Sequence, residues 1–196
     1  MRFLVLACAS TVIACAPEQT MTAYAREFAQ ACEPGPHARE FVSGSAGKAP
    51  DVRLVSAYRN LRSVWVYSPD PPDLDTFADA EAIFRSSSFM GDCEDFGATL
   101  AAACRALNLT CRLALGETDR GGHAWLEVRI SDTDSALAAD LGERMGHVFQ
   151  SSASVVTRPD GLWLQLSPEG TLDSYQVTHF IDTSGKLKSL EQTENR

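Results

Sequence analysis

A cysteine attacks as its thiolate, so the residues to look for first are a cysteine placed where negative charge is favoured and an imidazole within reach of it. One such arrangement stands out. Cys93 follows Gly91-Asp92, and His123 lies 30 residues further on, behind Gly121-Gly122 at the head of an alternating run. Cys93, Phe96, Leu100, Cys104 and Leu107 step by 3, 4, 4 and 3, a single helical face, and alanine fills most positions between them. That pattern predicts a helix buried on nearly every side, ended by Asn108. Asp92 and Asp95 form a capping-box-like pair that starts it and puts Cys93 in its first turn. There, unpaired N–H groups and the macrodipole favour a thiolate. The Cys93 pKa is therefore expected below its usual ~8.5, with Asp92 and Asp95 opposing the shift and His123 supplying most of it. Gly121 and Gly122 let the backbone pass close to a substrate.

The elements that must hold this pair follow from periodicity. Residues 21 to 32 predict a short amphipathic helix, stopped before Pro34-Gly35-Pro36. Apolar residues at 54, 55, 58, 61, 64 and 65 predict a second helix. Ser68 to Asp73 is proline-rich and extended, and a short helix is expected around residues 76 to 84. After the cysteine helix come three alternating runs: Cys111 to Gly116, His123 to Ile130 and Leu162 to Ser167. A polar insertion (131 to 160) with a short helix near 135 to 145 separates the last two, and residues 175 to 190 read as a terminal hairpin. A buried helix leading into an antiparallel sheet is an α+β fold.

Gly91-Asp92-Cys93-Glu94-Asp95-Phe96, the helix ending Ala106-Leu107-Asn108-Leu109, the strand Cys111-Arg112-Leu113 and then Gly122-His123-Ala124-Trp125-Leu126-Glu127-Val128 resemble the core of the transglutaminase-like superfamily in order, spacing and both motifs. Trp65-Val66-Tyr67-Ser68-Pro69-Asp70 resembles the aromatic–Pro–Asp segment that precedes the cysteine helix there. The resemblance spans about residues 52 to 170 and implies a papain/transglutaminase-like fold. It also implies a Cys-His-Asp triad whose Asp ends a third strand reading W-x-x-L-D-P. Here that strand reads Trp163-Leu164-Gln165-Leu166-Ser167-Pro168, so Ser167 stands where the Asp is expected. A serine can accept a hydrogen bond from the imidazole but brings no charge to an imidazolium. Asp173 and Asp182, further along, are the other candidates.

The resemblance implies a thiol enzyme acting on amide or peptide bonds, a peptidase or amidase, with hydrolysis preferred to crosslinking. Cys93 would attack and His123 would carry the proton. The Cys93 N–H, with Tyr67 or Trp65, would hold the oxyanion. Ser167 supports a runner-up, a catalytically impaired binding module on the same fold. A purely structural lipoprotein would leave the Cys93–His123 pairing unexplained. No cofactor and no metal site is expected: Asp92 and Asp95 read as caps, and four ligands cannot be assembled around Cys93 and His123.

The totals bound the partners. The chain has 196 residues, enough for one domain with a real core, and a formal charge of −9 with no basic run, which disfavours a nucleic-acid partner. Met1-Arg2 followed by the apolar stretch Phe3 to Ala14 reads as a leader, too short to span a bilayer. It ends in Val12-Ile13-Ala14-Cys15, which resembles a bacterial lipobox: residues 1–14 a signal peptide, Cys15 carrying the lipid, palmitate among its acyl groups. Ala16 after it implies the outer membrane, facing the periplasm. Residues 15–51 are then a tether and N-terminal segment, and 52–196 the transglutaminase-like domain. The expected partners are a peptide or protein substrate in the envelope and the membrane itself through the lipid. Export favours disulfides. Of Cys32, Cys93, Cys104 and Cys111, the catalytic thiol must stay reduced, leaving at most one bridge; Cys104 and Cys111 are equally suited to pairing and to lying buried as small apolar groups.

Overall fold

The computed structural model describes residues 18–44, 47–71, 76–118, 121–131, 153–168 and 176–190. The leader with Cys15, the expected helix near 135 to 145, and Asp173 lie outside these residues. In chain order the elements are α1 (Glu18–Ala31), α2 (Pro36–Ser43), α3 (Pro50–Val64), β1 (Val66–Tyr67), α4 (Ala80–Ser86), β2 (Met90–Gly91), α5 (Cys93–Ala106), β3 (Cys111–Thr118), β4 (Gly121–Ser131), β5 (Ala153–Arg158), β6 (Gly161–Leu166), β7 (Gln176–Asp182) and β8 (Leu187–Ser189). Six strands form one antiparallel sheet in the order β5-β6-β4-β3-β7-β8, while β1 and β2 pair separately and in parallel. The fold is α+β, as the sequence predicts. Among the described residues no helix is long and apolar enough to cross a membrane.

Helix α5 is the hub. Every residue from Glu94 to Cys104 is buried, so the alanine-rich composition is what lets neighbours close in on all sides. Its end is a Schellman cap: Asn108 takes a left-handed φ of 59°, Leu109 N–H donates to Cys104 O at 2.9 Å and Asn108 N–H to Arg105 O at 2.9 Å. One sheet face packs on α5 through Leu113, Leu115, Ala124, Leu126, Val128, Leu164 and Leu166. The opposite face carries Trp125, Phe180 and a buried ionic group around Glu127. Glu127 accepts from Arg112 Nε at 2.9 Å, Arg158 Nη2 at 2.6 Å and Gln165 Nε2 at 3.2 Å. The Arg112 guanidinium lies between the rings of Trp163 and Phe180, 3.7 and 3.8 Å from their centroids.

Three expectations change. Residues 18 to 43, expected as a segment outside the domain, contribute to its cores: Met21, Ala25 and Phe28 of α1 join the main cluster, and Ala38 and Val42 of α2 join a second one with Phe84. The helix expected from residue 76 begins at Ala80, because Asp79 is extended and caps it by accepting from Glu81 N–H, and residues 76–79 form no helix. The end of the polar insertion is a strand, β5, whose Val155 and Val156 lie opposite Leu164 and Trp163 of β6.

Candidate active site

Cys93 is the first residue of α5, and the loop before it is fixed from three directions. β2 sits directly upstream, and Val66 and Ser68 N–H donate to Phe89 and Gly91 carbonyls, each at 2.8 Å. Gly91 is required by its neighbour: a Cβ there would lie 2.4 Å from the Asp95 carboxylate. Asp95 accepts from Ala78 N–H at 2.6 Å and from Asp92 N–H, so it ties the 76–79 segment to the helix start. The predicted capping box is thus half formed. Asp95 reaches back as expected, but the Asp92 side chain makes no cap hydrogen bond. Burial is the largest influence on Asp95 and raises its pKa to about 6, with Asp92 and Asp70 adding repulsion.

The sheet brings the second and third residues. His123 is the third residue of β4, opposite Gly116 of β3. A side chain on Gly116 would meet the Trp125 ring at 2.6 Å, so the glycine makes room for that indole, which stacks beside the His123 imidazole at 6.1 Å and 27°. Ser167 follows β6 directly, and its hydroxyl lies 2.9 Å from His123 Nε2. Its carbonyl accepts from Tyr58 Oη at 2.6 Å, and the Pro168 carbonyl from Arg62 Nε at 3.1 Å, so α3 holds this corner in place. Cys93 meets the same strand one residue on: Ala124 N–H points at Cys93 Sγ, 3.4 Å away. Cys93 Sγ thus lies against the backbone one residue past His123, and Ser167 against the His123 ring, so that residues 74 apart from first to last meet on one strand. Asp182 does not join them; it accepts from Ser184 and Lys186 N–H and shapes the β7–β8 turn.

The electrostatics depart from the expectation. The Cys93 pKa is pushed well above 9.0, first by burial and then by Glu94, whose carboxylate accepts from the thiol at 3.1 Å; Ala124 N–H works the other way. Burial lowers His123 to about 4. The pair rests as a neutral thiol and neutral imidazole, because a helix N-terminus and one backbone N–H do not outweigh burial and an adjacent carboxylate. The sequence pattern sets Asp92 and Asp95 against the thiolate and carries no signal that Glu94, between them, is the carboxylate that touches the sulfur. Asp70, Asp92 and Glu94 each offer a carboxylate oxygen within 4.8 Å of the others. No metal site was expected there, yet three hard oxygen donors of this kind suit Ca²⁺ or Mg²⁺ rather than a soft metal. Asp70 lies three residues beyond β1, and its proximity to the helix start is not revealed by spacing.

Both residues suggested for the oxyanion lie near the helix start. Trp65 packs edge-on against Phe96, centroids 5.1 Å apart, one turn along α5 from Cys93. Its Nε1 is buried with no hydrogen-bond partner among the described residues. Tyr67 stands opposite Gly91 on β1 and is half exposed. Cys32, Cys104 and Cys111 are buried and unbridged, and the Cys111 thiol donates to the Ala101 carbonyl at 3.9 Å.

Residues 37–140 match the family model of the transglutaminase-like superfamily, more than half of the chain. The protein belongs to that superfamily. A solved structure from Cytophaga hutchinsonii, described as a proposed cysteine protease, is similar over 62% of this chain and 42% of its own, at 16% identity and a TM-score of 0.39. The shared part is thus less than half of that chain. No curated protein matches.

Proposed function

We propose that this protein is a thiol hydrolase of amide or peptide bonds, tethered in the cell envelope by a lipid on Cys15. The observation that carries the catalytic part is the approach of Cys93 Sγ to the β4 backbone beside His123, with Ala124 N–H 3.4 Å from the sulfur. Nε2 of His123 is engaged by Ser167, which assigns proton exchange with the thiol to Nδ1. Since both groups rest neutral, the proton moves as the sulfur attacks. The S–C bond forms while the carbonyl π pair goes to oxygen, and His123 then returns the proton to the departing amine. Water, deprotonated by the same imidazole, cleaves the thioester and restores the thiol. The Cys93 N–H, without a partner inside the helix, and Trp65 Nε1 supply the oxyanion donors. Substrates are peptides or proteins of the envelope.

The test is alkylation of Cys93 by iodoacetamide against pH, with Cys32, Cys104 and Cys111 substituted. His123→Ala should slow the reaction near neutral pH and cut any hydrolytic rate by ~100-fold or more. A Cys93 that reacts as a simple thiol whatever stands at 123 would refute the enzyme reading. The lipid is tested separately: the mature protein should partition into detergent, and Cys15→Ser should abolish that partitioning. Unchanged membrane recovery of Cys15→Ser would refute the tether.

A second reading is supported by Ser167 and by the neutral pair: a tethered binding module that presents the cleft without turnover. It expects a Cys93 insensitive to residue 123 and peptide binding that survives Cys93→Ala.

A further inference from the structure

Among the described residues four large apolar side chains are substantially exposed: Val64 at 48%, Val66 at 59%, Tyr67 at 50% and Met90 at 47%. They do not scatter over the surface. Val66 and Tyr67 are β1 and Met90 opens β2, so three of the four belong to the two-stranded ribbon immediately ahead of Cys93, and Val64, the last residue of α3, stands two residues before it. Register sorts them: Val66 is paired with Met90 and shares its face, whereas Tyr67 is paired with Gly91 on the other. The geometry points to this ribbon as the substrate-specificity surface, with Val66 and Met90 receiving an apolar side chain of an extended polypeptide substrate. The inference rests on the thiol-enzyme reading above and adds the class of sequence that the enzyme prefers.

Chain geometry sets the reach. Met90 is three residues before Cys93, so the two Cα atoms are separated by no more than about 11 Å, and Val66 lies one strand spacing, ~4.8 Å, from Met90. An extended substrate advances ~3.3 Å per residue. A peptide whose carbonyl is under attack at Cys93 therefore passes the ridge within about three residues of that carbonyl. The ribbon is also rigid: Val66 and Ser68 N–H are tied to β2, and Gly91 is locked against Asp95. Size selects a side chain over a protein partner. Four half-exposed side chains offer on the order of 300–400 Å², at most half of the ~800 Å² per partner of a stable dimer.

The test compares three reagents on the full chain with Cys32, Cys104 and Cys111 substituted. These are iodoacetamide, acetyl-Leu-Leu-Gly chloromethyl ketone and acetyl-Ser-Ser-Gly chloromethyl ketone. In each ketone reaction a Cys93 S–C bond forms, the C–Cl bond breaks with loss of chloride, and the thiol proton passes to His123. The Leu reagent should label Cys93 about tenfold faster than the Ser reagent or better. Met90→Ser and Val66→Thr should each shrink that ratio, and together bring it close to one, with the iodoacetamide rate and urea midpoint unchanged. Equal labelling by the two ketones in the parent chain, or a preference that survives both substitutions, overturns the inference while leaving the thiol enzyme intact. A Cys93 inert to all three reagents overturns both.

Discussion

The Cys93 thiol and the Glu94 carboxylate, on consecutive residues in the first turn of α5, are hydrogen-bonded at 3.1 Å. A buried thiol is thus held in its protonated form by its own neighbour. Burial and the Glu94 charge are the two largest causes of its raised pKa, in that order. Glu94→Gln removes the charge and leaves the shape, so the inflection in Cys93 alkylation against pH should move down. An inflection unmoved by the substitution would show that burial alone sets it.

Ser167 and His123 give a second prediction. Ser167→Asp places a carboxylate at the imidazole that Ser167 Oγ now touches at 2.9 Å. The His123 pKa should rise from about 4, read by NMR of the imidazole, and any hydrolytic rate should increase. Ser167→Ala should lower that rate by removing the group that orients the ring. Because Ser167 is fully buried, Ser167→Asp should also lower stability at neutral pH.

Asp95 and His123 pull stability in opposite directions across acid pH. Asp95 is raised from 3.8 to about 6 by burial, so its contribution is present at low pH and lost as pH rises through 6. His123 is lowered from 6.5 to about 4 by burial, so its contribution is present above 6.5 and lost as pH falls towards 4. Relative to the parent, Asp95→Asn should be progressively destabilised as pH falls from 6 to 4, and His123→Ala as pH rises over the same range. Each difference has a slope of at most ~1.4 kcal/mol per pH unit. Urea unfolding at four or five pH values measures both.

Glu127 supports a prediction about the far face of the sheet. Its carboxylate is fully buried between Arg112 and Arg158. Glu127→Ala strands two guanidinium groups and should cost about 3–5 kcal/mol in urea unfolding. A loss under 1 kcal/mol would show that Asp160, which also pairs with Arg112, carries the charge balance.

Periodicity and motif made the centre of the molecule legible. The 3-4-4-3 spacing from Cys93 gave away α5, and the alternation from His123 gave away β4. The Trp163-to-Pro168 strand carried Ser167 to the imidazole. Short elements were not legible: β1 and β2 have two residues each, too few for any period, yet they set the approach to the thiol. β5 was hidden because ASVVTR has two valines amid polar residues and becomes a strand through pairing with β6. The thiol's charge state is not legible in the sequence for a related reason. Burial is a tertiary quantity, and it outweighs the helix N-terminus that the sequence did reveal.

The pairing of β4 with β6 has a consequence in time. Cys93 and His123 become neighbours once α5 docks on β4, but the hydroxyl that orients the imidazole arrives from 44 residues beyond His123. It is held there by Tyr58, 109 residues before Ser167. Contacts across such separations close slowly compared with helices and hairpins. A nascent chain therefore brings Cys93 against the strand of His123 before Ser167 reaches the imidazole, and the complete arrangement is one of the last events of folding.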